Sequence, residues 1–163
     1  MKTNIAYLLL GSNIGSREKH LKDSIESIEK HIGTVTSKSS VYRTASWGNE
    51  NQDDFLNQAI CIQTKLSAEK LLEKILSIEK KIGRVRTTKW ESRIIDIDIL
   101  FYNSGITNTA NLTIPHPYLQ ERKFALVPLN EIASDLIHPA LNKSVKILLE
   151  ECRDTLDVSK YLL

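Results

Sequence analysis

Short apolar runs alternate along this chain with segments whose apolar residues recur at helical spacing. Residues 5–10 are continuously apolar and end at Gly11, which predicts a central strand buried on both faces. Leu21, Ile25, Ile28 and Ile32 then recur every three or four residues, behind Ser16 as a candidate N-cap and before Gly33 as a candidate stop. Residues 34–43 are rich in Val, Thr, Ser and Tyr and predict a strand. Residues 44–54, with Gly48 and several Asn and Asp around Trp47, predict a long loop, and residues 55–64 its partner strand. A second helix opens at Ser67, carries Leu71, Leu72, Ile75, Ile78 and Ile82 as its core stripe, and stops at Gly83. A strand over 94–101 follows. Beyond it the chain is punctuated by Pro115, Pro117, Pro128 and Pro139, with short helical turns expected around 126–132 and a last amphipathic helix over 142–153.

The order β-α-β-β-α-β is the split βαβ pattern of a ferredoxin-like sandwich. The expectation is therefore an α/β (α+β) fold, with helices packed on the faces of an antiparallel or mixed sheet. At 163 residues, with no internal repeat and no long linker, residues 1–163 are expected to form a single domain. A formal net charge of +2 excludes the strong basic field of a general nucleic-acid binder, so any anion must be gripped by a local cluster. Cys61 and Cys152 lie far apart and match no metal-ligand spacing, which reads as reduced core thiols in a cytoplasmic protein. The N-terminal apolar run is too short for a signal peptide or a membrane span.

Chemistry concentrates in Arg93-Ile94-Ile95-Asp96-Ile97-Asp98-Ile99. Alternation along a strand puts Asp96 and Asp98 on one face, with Cα atoms roughly 6.5–7 Å apart, and Ile95, Ile97 and Ile99 on the other. Aspartate is depleted in strands, and two on one face repel unless a cation lies between them, so the pair reads as a metal or phosphate site. Carboxylate oxygens without neighbouring Cys or paired His favour Mg²⁺. Upstream, Arg84, Arg86, Lys89 and Arg93 crowd a loop directly after a helix end. Such a cluster alone is ordinary solvated surface; beside a carboxylate pair it suits polyphosphate chemistry, whose transition-state charge spreads over oxygens. Gly11-Ser12-Asn13-Ile14-Gly15 is either a phosphate-binding turn or a tight strand-to-helix turn with Asn13 at positive φ. Phe55 and Asn57 share a strand face, which suits either a planar heterocycle or an ordinary core. His20 and His31 fall on a helix and read as surface residues, whereas His116 and His138 precede prolines in loops.

Together the motifs Gly11-Ser12-Asn13, Tyr42-Arg43-Thr44, Phe55-Leu56-Asn57, Gly83-Arg84-Val85-Arg86, Trp90, the Arg93–Asp98 run, Pro115-His116, Arg122-Lys123-Phe124, Pro128-Leu129 and His138-Pro139 resemble the 6-hydroxymethyl-7,8-dihydropterin pyrophosphokinase family. The resemblance implies a monomeric enzyme of folate biosynthesis that moves diphosphate from ATP to a pterin alcohol. It implies that Asp96 and Asp98 hold a pair of Mg²⁺ ions, and that Arg84, Arg86, Arg93 and His116 neutralise phosphate charge. Arg122 would help hold ATP, with Glu79 at the nucleotide site and Ile99 framing the adenine largely through backbone. Phe55 and Phe124 would sandwich the pterin, Asn57 and the Thr44 backbone would read its edge, and Trp47 and Trp90 would close over the ligands. The chain departs from the family pattern at Ala45-Ser46-Trp47 and at Glu91-Ser92, both in loops. Other readings are a single-stranded RNA-binding module, which would need no Mg²⁺, and an ordinary kinase, which would release ADP.

Overall fold

A computed structural model describes residues 2–45, 53–84 and 94–163. The elements run β1 (Asn4–Ser12), α1 (Arg17–His31), β2 (Gly33–Lys38), β3 (Tyr42–Thr44), β4 (Phe55–Thr64), α2 (Ala68–Ile82) and β5 (Asp96–Tyr102). A small hairpin follows, β6 (Thr107–Asn108) with β7 (Thr113–Ile114), then a 3₁₀ turn at Leu119–Glu121, α3 (Lys123–Ala133), α4 (Val145–Glu151) and β8 (Val158–Lys160). Among the described residues one sheet has the order β5-β1-β4-β3-β8, and β2 shares the β3 edge of β4. All its pairings are antiparallel. The sandwich expected from the element order is the one observed.

Both faces of the sheet are covered, by different helices. On the first face Ala6, Leu8 and Leu10 of β1, Leu56, Ile60 and Ile62 of β4, and Ile97 and Ile99 of β5 pack with Ile95 against Leu21 and Ile28 of α1 and Leu71, Ile75 and Ile78 of α2. These helices form because their apolar residues make one stripe, which the sheet buries. Ser67 caps α2 by accepting from the Lys70 N–H, Glu69 lies in its first turn and Lys80 and Lys81 in its last, in accord with the helix dipole. On the second face Leu9, Ala59, Leu100 and Phe101 pack against Ala125, Leu126 and Leu129 of α3 and Val145 and Leu148 of α4. A register shift in the β1–β5 ladder opposes Tyr7 to Phe101 and Leu8 to Ile99, leaving Leu100 as the extra residue. Glu131 ties α3 to the sheet by accepting from the Tyr42 hydroxyl and the Ser40 N–H.

Several expectations are corrected. The strand over 34–43 is two strands, because Ser39 turns inward, donating its N–H to the Ala59 carbonyl and accepting the Ala59 N–H on its hydroxyl. Gly33 begins β2 instead of stopping α1; a Cβ there would lie 2.0 Å from the Gln63 carbonyl oxygen, so close strand approach demands it. Ser16 precedes α1 without a side-chain cap bond. The positive φ in the β1–α1 turn belongs to Gly15, not Asn13. The turns around 126–132 are a continuous helix with Pro128 inside it, and the last helix is shorter than expected. Cys61 is buried but Cys152 is only half-buried, at the end of α4, so only the first is a core thiol. His20 is half-buried, with Nδ1 3.4 Å from the Ser12 hydroxyl.

Candidate active site

Strand register assembles the site. β1 lies between β4 and β5, and Gly11 near its C-terminal end opposes Asn57 on one side and Asp96 on the other. Two residues back, Leu9 lies between Ala59 and Asp98, while Thr44 opposes Phe55 across the β3–β4 ladder. Because side chains alternate, Phe55, Asn57, Asp96 and Asp98 share the second face. They sit at the end of that face where β1 finishes and β4 and β5 begin. Ile97 and Ile99 belong to the opposite core, so Ile99 meets this end of the sheet through its backbone. Asn57 is buried, and buried Thr44 Oγ1 has no hydrogen-bond partner among the described residues.

Charge at this end is already organised. Arg84 Nη1 donates to Asp96 Oδ1 at 2.7 Å and to Glu79 Oε2 at 2.8 Å, with only 9% of its side chain exposed. Burial opposes the guanidinium charge, and the two carboxylates, Asp96 foremost, outweigh it and hold the Arg84 pKa above its usual value. Glu79, in the last turns of α2, also accepts the Ile97 N–H at 2.7 Å and so satisfies a donor on the β5 edge. The sequence signalled each of these three residues, but not this arrangement: Glu79 reaches round β5 and shares a cation with Asp96.

The fourth side of the site comes from the segment after β7. A cis Ile114–Pro115 peptide leads to His116, whose N–H donates to the Leu100 carbonyl at 3.2 Å. His116 Nδ1 accepts the Tyr118 N–H at 3.3 Å, so the neutral ring carries its proton on Nε2. Burial first, then the Arg122 charge, pushes the His116 pKa down to about 4 against the opposing pull of Asp96. The neutral His116 ring offers its Nε2–H as a hydrogen-bond donor. Arg122 precedes α3 with its guanidinium carbon 5.5 Å from the Tyr118 ring centre and 5.7 Å from that of Phe124. His138 lies apart, buried edge-on against Phe101, with Nδ1 accepting the Ala140 and Leu141 N–H groups. It is structural.

The fold brings Thr44, Phe55, Asn57, Glu79, Arg84, Asp96, Asp98, His116, Arg122 and Phe124 to the elements around one end of the sheet. Trp47, Arg86, Trp90 and Arg93 lie outside the described residues. Sequence reasoning missed a brace beneath Phe55. The Asn13 amide donates to the Asp53 carbonyl at 3.3 Å and Arg17 to the Asp54 carbonyl at 2.7 Å. The Gly-Ser-Asn motif was the available signal, but it reads locally as a turn. Among the described residues no group of three or more His, Cys, Asp or Glu converges for a metal, and no helix is long and apolar enough to cross a membrane.

An antiparallel α+β sandwich carries Phe55, Asn57, Asp96 and Asp98 together on one face at one end of its sheet. The sequence profile of the 7,8-dihydro-6-hydroxymethylpterin-pyrophosphokinase (HPPK) family matches residues 7–134, and the chain belongs to that family, whose enzymes are diphosphotransferases. It is 47% identical over 133 residues to the 2-amino-4-hydroxy-6-hydroxymethyldihydropteridine pyrophosphokinase of Methylorubrum extorquens, covering 81% of this chain and 84% of that protein. The enzymes of the same name from Aquifex aeolicus and Bacillus subtilis are 42% and 44% identical, covering 86% and 82% of this chain and 87% and 80% of theirs. Among solved structures, an HPPK-DHPS in complex with substrates superposes with a TM-score of 0.75 at 17% identity, over 91% of this chain and 43% of that one. A Plasmodium falciparum HPPK-DHPS triple mutant gives 0.74 at 20%, over 92% and 43%. At these identities the likeness establishes the fold, and this chain spans under half the length of those chains.

Proposed function

We propose that this chain transfers diphosphate from ATP to the hydroxymethyl group of 6-hydroxymethyl-7,8-dihydropterin, with Mg²⁺, and releases AMP. The observation that supports the reading is the row Asn57–Gly11–Asp96, in which a buried amide and a carboxylate flank Gly11 on its two neighbouring strands. Phe55 and Phe124 stack the pterin; Asn57 and the Thr44 backbone read its edge, with Trp47 and Trp90 closing over it. The pterin oxygen attacks the β-phosphorus, the bond from that phosphorus to the α,β-bridging oxygen breaks, and AMP carries that oxygen away. The hydroxyl proton passes to solvent.

The donor set fits Mg²⁺. Asp96 and Asp98 supply hard carboxylate oxygens from one face of β5. Mg²⁺ usually binds through one or two carboxylates with substrate phosphates and water completing its shell. When bound it would offset phosphate charge and hold the triphosphate against the pterin oxygen. Arg84, Arg86 and Arg93 neutralise the remaining charge, His116 donates from Nε2, and Arg122 holds the nucleotide beside Glu79 and Ile99. Positioning and charge stabilisation carry the catalysis. We read the chain as one catalytic domain, monomeric and cytoplasmic.

The test is to incubate the protein with Mg²⁺, ATP and the pterin alcohol and to separate AMP from ADP. Pterin-dependent AMP is expected. Pterin-dependent ADP would overturn the reaction class, and no turnover would overturn the assignment.

A further inference from the structure

Gly11 is paired with Asn57 on one side and Asp96 on the other, and it contributes no side chain. Its φ is not positive, so its backbone is open to any residue. The constraint is space. A Cβ built on Gly11 would lie 2.6 Å from Asn57 Oδ1, 3.7 Å from Asn57 Cγ and 3.8 Å from Phe55 Cδ1. The first distance is well inside van der Waals contact, and the atom it meets is the end of a side chain, not backbone. The Asn57 amide therefore leans across β1 into the space a side chain would take, with Asp96 on the far side of the same residue.

We propose that Gly11 is a positioning residue for substrate recognition: its missing Cβ lets Asn57 lie over the central strand, and so sets how far the ring-reading amide stands from the Asp96–Asp98 carboxylates. This rests on the reading of Asn57 as the pterin-edge residue. An added methyl displaces the amide and leaves the ladder intact, because only a side-chain end must move. The cost falls on ring recognition and not on folding.

The experiment measures Kd for the pterin alcohol, in the presence of Mg²⁺ and a non-hydrolysable ATP analogue, for Gly11→Ala, Asn57→Ala and the double variant. Each protein's thermal midpoint and the side-chain amide resonances of Asn57 without ligand are recorded alongside. Expected results are a Kd raised about tenfold in Gly11→Ala, the scale of one lost hydrogen bond, with Asn57 resonances shifted and nucleotide-analogue affinity unchanged. On the Asn57→Ala background, Gly11→Ala should add nothing, since the group it displaces is gone. An undiminished effect on that background overturns the proposal, as do unmoved Asn57 resonances. If Gly11→Ala alone lowers the thermal midpoint sharply and Asn57→Ala does not restore it, Gly11 serves the fold and the proposal also fails. Asn57→Ala binding pterin as well as the parent would instead sink the pterin-edge reading itself.

Discussion

The two faces of the sheet use the same three strands for opposite ends. On the α1–α2 face, Leu8, Leu10, Ile60, Ile62 and Ile97 are sealed against two helices, and the core follows β1 from Ala6 to Leu10. On the α3–α4 face, packing covers Leu9, Ala59 and Phe101, but beyond them the strands present Asn57, Gly11, Asp96 and Asp98. The same two-residue alternation that buries Ile97 turns Asp96 and Asp98 to the other side. The sealed face can therefore hold the strands rigidly enough to keep an amide and two carboxylates in register. Arg84 and Glu79 join the regions at the β5 edge, one carboxylate from the helix layer and one from the site sharing a cation.

If that division of labour holds, Asp98→Asn should lower turnover by about a thousandfold or more, in line with removing a preorganised electrostatic group, while the thermal midpoint stays near the parent's. Steady-state AMP formation and a melting curve check it. The converse is Leu8→Ala, at a fully buried position. It should cost about 3 kcal/mol in urea unfolding and leave the pterin KM of the folded protein unchanged. A large KM change would mean that the faces are not separable. Glu79→Gln probes the junction: removing one carboxylate from a buried guanidinium should cost about 2 kcal/mol. Combined with Arg84→Met it should cost less than the sum of the single changes, which a double-mutant cycle reads.

The smallest effect expected is on acid stability. His116 takes up its proton near pH 4 in the fold but near the ordinary 6.5 when unfolded. Protonation between those values favours the unfolded chain, so stability is lost as pH falls from 6.5 towards 4. His116→Asn should flatten that slope without abolishing it, because burial also lowers the His138 pKa. Denaturant midpoints at pH 7 and pH 5 provide the comparison.

The sealed face was the more legible from sequence. Leu71, Ile75 and Ile78 recur at helical spacing wherever they pack, and the alternation of Asp96 with Ile97 reads the same in an isolated peptide. What stayed hidden depends on neighbours far along the chain. The break between β2 and β3 follows from Ser39 bonding to Ala59, and nothing in the local composition marks it. β8 exists because residues 158–160 meet β3, and Tyr161 donates to Glu18 on α1. Phe55, Asn57 and the Asp pair were each visible as motifs, but their meeting around Gly11 is set by how β1 registers with two other strands. Arg84 looked like a loop cation and is instead held by two carboxylates.

The proposed role of Asp96 and Asp98, at the site end of the α3–α4 face, is to hold Mg²⁺ and ATP together. Its most direct measurement is Mn²⁺ binding by electron paramagnetic resonance, with Mn²⁺ standing in for Mg²⁺ and a non-hydrolysable ATP analogue present, in the parent and in Asp98→Asn. Tight protein-bound Mn²⁺ is expected in the parent and is lost or sharply weakened in the variant, with the melting temperature unchanged. Equal Mn²⁺ binding by the two proteins would contradict it.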